Sequence, residues 1–144
     1  MNNKQKDTAE LQNEIENTTN IDAFMKNRPD TLPAHNLAEY LQLLLEQKGL
    51  KKSDIIKQSG LEKTYAYHIF SGEKSPTRPK VLAIALAMKL TREETDYLLY
   101  YAGANRLYAR DSFDAVIIFA LKNHLSVEDT NIQLERLGET IFLL

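Results

Sequence analysis

The side chains with the most chemical capacity at regular spacing lie in one short segment, KSDIIKQSGLEKTYAYHIFSGEKSP, residues 52–76. Within it Lys63, Thr64, Tyr67, His68 and Ser71 recur at helical separations, so a helix through them carries an ammonium, two hydroxyls, a phenol and an imidazole on one face. Ala66, Ile69 and Phe70 fall on the opposite face, at the spacing expected for burial. Such a row can donate and accept hydrogen bonds along an extended surface. It is not a catalytic set, because it contains neither paired carboxylates nor a nucleophile beside a base and its orienting group. The sequence also lacks a Gly-x-Ser-x-Gly elbow and a phosphate-binding loop. Cysteine is absent, which removes disulfides and thiolate metal ligands, and His35, His68 and His124 are too scattered for a zinc pattern. The expectation is a protein that binds and is not an enzyme, with no metal and no cofactor.

Charge is distributed in a way that suits this segment. The net charge is −2, but residues 1–47 sum to −4, residues 48–80 to +5 and residues 81–144 to −3. The basic stretch holds Lys48, Lys51, Lys52, Lys57, Lys63, Lys74, Arg78 and Lys80 against Asp54, Glu62 and Glu73. A local positive field inside an acidic chain attracts anions at one place while limiting indiscriminate attraction elsewhere.

The elements that must position the row are helical. Leu37, Tyr40, Leu41, Leu44 and Leu45 repeat at three and four residues and predict a first helix ending at Gly49. Ile55 and Ile56 mark a short second helix, Gly60 and Leu61 a tight turn, and residues 63–70 a third helix closed by Ser71 and Gly72. Pro76 and Pro79 then break the chain, with Pro79 in the first turn of a fourth helix, VLAIALAM, and a fifth follows Thr91. All five glycines fall where a helix should stop, and no stretch alternates with period two between hairpin turns. The fold class is therefore all-α.

An internal repeat at an offset of 35 residues extends this layout: VLAIALAMKLTREETDYLLYYAG, 81–103, matches VIIFALKNHLSVEDTNIQLERLG, 116–138. Val81, Ala85, Leu86, Leu90, Glu93, Thr95, Leu99 and Gly103 recur as Val116, Ala120, Leu121, Leu125, Glu128, Thr130, Leu134 and Gly138. Thr91 with Glu94, and Ser126 with Asp129, stand at capping-box spacing. Each copy reads as a helix, a capped turn and a second helix, so one hairpin is duplicated. Tyr97, Tyr100 and Tyr101 lie beside Leu98 and Leu99 at helical spacing, which assigns them to core or interface in preference to a stacking platform. Residues 1–33 are acidic with a weak helical pattern at Leu11, Ile15, Phe24 and Met25 and are expected to make a partly ordered arm, while Ile141 to Leu144 are an apolar tail that must pack or stay exposed.

Lys52 to Pro76 resembles the Xre and lambda-repressor-like helix-turn-helix family of bacterial DNA-binding regulators, and the resemblance extends over residues 36–103. Gly60 stands where that family places its turn glycine, Leu61 is the usual apolar successor, and Ile55 and Ile69 occupy the usual core sites. The sequence departs at Ile56, usually small, and at Ala66, usually large; the two sites pack together in the family, so the paired exchange keeps core volume. Glu62 replaces the usual Ser or Thr cap, which a carboxylate can also supply.

The resemblance implies a five-helix helix-turn-helix domain over residues 34–104, and the repeat adds a helical hairpin and tail over 105–144. It implies double-stranded DNA as partner, read in the major groove by the third helix: Lys63, Thr64, Tyr67 and His68 would meet base edges. Lys52, Ser53, Ser71 and Lys74 match positions that contact the phosphate backbone in the family. Transcriptional regulation is the role the resemblance implies. The absence of cysteine and the shortness of the longest apolar runs, VLAIALAM and AVIIFAL, give the expectation of a cytoplasmic protein with no membrane partner, and the second hairpin with the apolar tail is the expected interface of a homodimer. The competing expectation, motivated by the acidic flanks, Glu62 and the duplicated hairpin, is a helical adaptor for a protein partner with weak or lost DNA binding.

Overall fold

Asn36 fixes where the first helix begins, because its side chain accepts a hydrogen bond from the Glu39 N–H at 2.9 Å and so satisfies one amide that the helix leaves open. The computed structural model describes residues 32–142, and every regular element among them is a helix. They are α1 (Leu37–Lys48), α2 (Lys52–Ser59), α3 (Lys63–Ser71), α4 (Arg78–Met88), α5 (Arg92–Tyr101), α6 (Ser112–Lys122) and α7 (Val127–Arg136). Gly60 ends α2 at φ 76° and Gly72 ends α3 at φ 91°, left-handed positions that an L side chain strains to reach. The predicted arm falls almost entirely outside the described residues, as do Leu143 and Leu144. No helix among the described residues is long and apolar enough to cross a membrane.

The apolar run VLAIALAM becomes the central helix. From Val81 to Met88 every residue of α4 is buried, because α2, α5, α6 and α7 all pack against it. Full burial of Leu82, Ile84 and Leu86 stabilises the fold by roughly 2 kcal/mol each relative to exposure. α1 packs on α3 and α5. Tyr40 of α1 lies 5.2 Å from the Tyr101 ring and 6.0 Å from Tyr97 of α5, and Tyr100 meets Tyr101 edge-on at 5.4 Å. Burial, with Glu94 nearby, pushes the Tyr40 phenol above its ordinary range. The tyrosines therefore join two helices.

The 35-residue register recurs in backbone detail. Thr95 and Thr130 are both fully buried, and their hydroxyls donate to the Thr91 and Ser126 carbonyls at 2.8 and 2.7 Å. Thr91 and Glu94 close both halves of a capping box, while Ser126 accepts from the Asp129 N–H at 3.0 Å. Even the loops correspond: Asp96 accepts from the Leu107 N–H at 2.9 Å, and Asn131 accepts from the Phe142 N–H at 2.8 Å. Phe142 also meets the Phe113 ring edge-on at 5.7 Å, so the described part of the tail folds back onto its own hairpin.

Lys89 and His124 are equivalent in the repeat and both adopt positive φ, 55° and 54°. Lys89 ends α4 in the left-handed region, where glycine is the least strained residue. Lys89→Gly is expected to raise stability by about 1 kcal/mol, since among the described residues its side chain bonds only the His124 carbonyl, at 3.4 Å. Thermal unfolding reads this directly, and a lowered midpoint would show that this contact outweighs the strain.

The second hairpin is fastened to α4 by a network around one carboxylate. Arg78 donates to both oxygens of Asp114, at 2.8 and 2.7 Å, and also to the Asn105 and Arg106 carbonyls at 3.0 and 3.2 Å. Asp114 accepts a further bond from the Tyr108 N–H at 2.9 Å and is only 3% exposed. Burial raises the Asp114 pKa, but the Arg78 and Tyr108 bonds outweigh it and hold the carboxyl below its ordinary value.

Candidate nucleic-acid interface

The row of polar side chains depends on how α3 leaves α2. Ser59, fully buried, donates to the Ile56 carbonyl at 2.7 Å and accepts from the Leu61 N–H at 3.2 Å, so its hydroxyl bridges the end of α2 and the turn. Glu62 then caps α3 by accepting from the Thr64 and Tyr65 N–H groups at 3.0 and 2.8 Å, and these bonds lower its pKa. Its charge therefore lies against the positive end of α3. Ser59→Ala removes the buried acceptor of the Leu61 amide, and a loss of about 2 kcal/mol is expected from chemical denaturation. An unchanged midpoint would show that the turn does not need this hydroxyl.

Burial divides α3 along its length. Ala66, Ile69 and Phe70 are buried at 0, 0 and 6% exposure, whereas Lys63, Thr64 and Ser71 are exposed and Tyr67 and His68 are half-buried. The five polar residues singled out from sequence therefore share one accessible face. Ile56 and Ala66 are both buried, as their exchange of sizes requires. Lys52 and Ser53 form the first turn of α2, Ser53 exposed and Lys52 half-buried with its ammonium 5.9 Å from the Phe70 ring centroid.

Lys74 follows α3, and its N–H donates to the His68 carbonyl at 3.1 Å, the same oxygen that accepts from Glu73 N–H at 2.9 Å and Ser71 Oγ at 3.1 Å. This ties Ser71 and Lys74 to the end of the row. Glu73 also places a carboxylate oxygen 3.6 Å from His68 Nε2 and 3.1 Å from Ser71 Oγ. An anion approaching His68 thus meets a partly neutralised surface.

Tertiary packing divides the basic segment into two groups. Lys48 pairs with Glu94 at 3.1 Å and Arg78 with Asp114 at 2.7 Å, and both carboxylates lie outside residues 48–80. Subtracting those two charges from +5 leaves +3. Lys80, in sequence simply one of the basic residues of 48–80, holds its ammonium 5.6 Å from the Tyr65 ring centroid and so stands beside α3. Its spacing carried no signal, because the approach of α4 to α3 creates that position.

Two shallow grooves open nearby. One, of about 470 Å³, lies between α1 and α2 beside Gln42, Glu46 and Lys52; the other, of about 490 Å³, lies between α2 and α7 beside Lys57, Glu128, Ile132 and Glu135. Among the described residues no group of histidine, aspartate or glutamate side chains is arranged to hold a metal ion. What the surface offers is hydrogen-bond donors, acceptors and cations along α3 and its flanks. Comparison with protein-family models, with curated proteins and with solved structures finds no match to this chain.

Proposed function

We propose that this chain is a sequence-specific DNA-binding transcriptional regulator in which α2, the Gly60 turn and α3 act as a helix-turn-helix and α3 enters the major groove. The observation that carries the reading is the division of α3 into a buried apolar face and an accessible face bearing Lys63, Thr64, Tyr67 and His68. In this reading Lys63 donates to guanine acceptors and Thr64 bonds a base edge or touches a thymine methyl, while Tyr67 and His68 reach bases or phosphate. Lys52, Ser53, Ser71 and Lys74 hold the phosphates on either side and set the register.

Selection of bound fragments from the native genome, followed by affinity measurements at several salt concentrations, tests this directly. A common sequence among the selected fragments, together with a linear fall of log K with log salt, is the expected result. No preferred sequence and a flat salt response would overturn it.

A second reading is a helical adaptor for a protein partner, favoured by the exposed apolar side chains Phe119, Ile132 and Leu137 on the second hairpin and its end. A stoichiometric protein complex that survives Lys63→Ala with Thr64→Ala, combined with no DNA binding, would select the adaptor.

A further inference from the structure

The 35-residue register reveals which face of α6 lacks a cover. In α4, Lys80 reaches the Tyr65 ring of α3, so the face that continues through Ala83, Ile84 and Ala87 is turned toward the preceding helices, and these three residues are 0, 1 and 6% exposed. The equivalent positions in α6 are Ala115, Ile118, Phe119 and Lys122. Here Ala115 and Lys122 are exposed, Ile118 is half-buried and Phe119 is 56% exposed. The second copy of the hairpin keeps the apolar face that the first copy buries, and no described residue covers it.

We propose that the same face of a second copy of this chain covers it, with the two α6 helices antiparallel across a two-fold axis near residue 117. Two features select this occupant. Asp111 at one end of the row and Lys122 at the other are both exposed and of opposite charge, so an antiparallel pair brings each Lys122 beside the other copy's Asp111, while a parallel pair would oppose like charges. Phe119 and Ala115 lie equally far from residue 117, so the same two-fold sets each large ring over the small alanine of the other copy and lets the backbones approach closely. Opposed helix dipoles favour the same arrangement. The interface uses the hairpin and not the C-terminal tail, whose described part is held by Asn131 and Phe113. It does not depend on the DNA reading.

Sedimentation equilibrium of the full chain tests this. The expected mass is twice the 16.5 kDa of one chain, and Phe119→Lys is expected to weaken association by about 100-fold while leaving the unfolding midpoint of the monomer in place. Because the chain has no cysteine, register is tested separately: a mixture of Ala115→Cys and Phe119→Cys chains should form a disulfide-linked pair faster than either variant alone. A native chain that stays monomeric at about 100 μM, a Phe119→Lys dimer of unchanged affinity, or cross-linking without preference for the mixture would each overturn the proposal. Fragment selection on the monomeric variant distinguishes a failure of this interface from a failure of DNA recognition.

Discussion

Asp114→Ala is expected to cost about 3 kcal/mol of stability, lowering the unfolding midpoint by roughly 10 °C. Asp114 is 3% exposed and accepts two bonds from Arg78 and one from the Tyr108 amide. Its removal strands a guanidinium whose side chain is 26% exposed, leaving Arg78, among the described residues, with the Asn105 and Arg106 carbonyls. Partial hydration of that cation keeps the effect at the lower end for a broken buried pair. Arg78→Ala with Asp114→Ala should cost less than the two single changes together, because the second deletion removes the stranded charge. Strict additivity would show that the network does not act as a unit.

The same carboxylate gives a pH signature with a definite sign. Asp114 and Glu94 are both held below their ordinary values: burial opposes this, while Arg78 and the Tyr108 amide lower the first, and the Thr91 amide and Lys48 lower the second. The unfolded chain therefore takes up these protons before the folded chain does. Their stabilisation is complete above the ordinary carboxylate range near pH 4, and it is lost as pH falls through the folded-state values. Asp96, raised mainly by burial, acts in the opposite sense. Asp114→Ala should make the acid limb of the stability curve shallower, and denaturant titrations between pH 3 and pH 6 are the measurement, within the span where such groups titrate. An unaltered slope would assign the acid sensitivity to other groups.

Lys63→Ala with Thr64→Ala is expected to lower affinity for a selected DNA site by about 100-fold, with each lost base contact contributing roughly 1–3 kcal/mol. Affinity for unrelated DNA should fall much less, so the ratio between the two is the informative number. Both side chains are exposed on α3, and their removal should leave the unfolding midpoint near that of the native chain. Lys74→Ala is the contrasting variant: binding should weaken equally for all sequences, and the salt slope should decrease by about one. A uniform loss in the double variant would move Lys63 and Thr64 from base contact to phosphate contact. Retention of full specificity would remove α3 from the reading face.

Several features were legible because their causes are local. Each helix is specified by apolar spacing within a few residues and by caps such as Asn36, Thr91 and Gly72, so boundaries follow from neighbours in sequence. The accessible row on α3 follows from the same arithmetic, since burying Ala66, Ile69 and Phe70 leaves Lys63, Thr64, Tyr67, His68 and Ser71 on the other side. The repeat was visible where identical residues recur, but it stopped at Gly103 and Gly138. Only the hydrogen bonds of Asp96 and Asn131 extend it to Leu107 and Phe142, which share no identity.

What the sequence by itself determined is therefore the set of helices, their order and the faces they bury. The tertiary structure decided which charges remain available to a partner. Lys48 and Arg78 look like other members of a basic segment, yet carboxylates 46 and 36 residues away claim them, while Lys80 is brought beside α3. Helical spacing is a property of a few neighbouring residues, whereas ion pairing depends on distances that only packing sets. The row Lys63, Thr64, Tyr67 and His68 was thus written in the sequence, and the electrostatic setting in which it would meet DNA was settled by the approach of α4, α5 and α6.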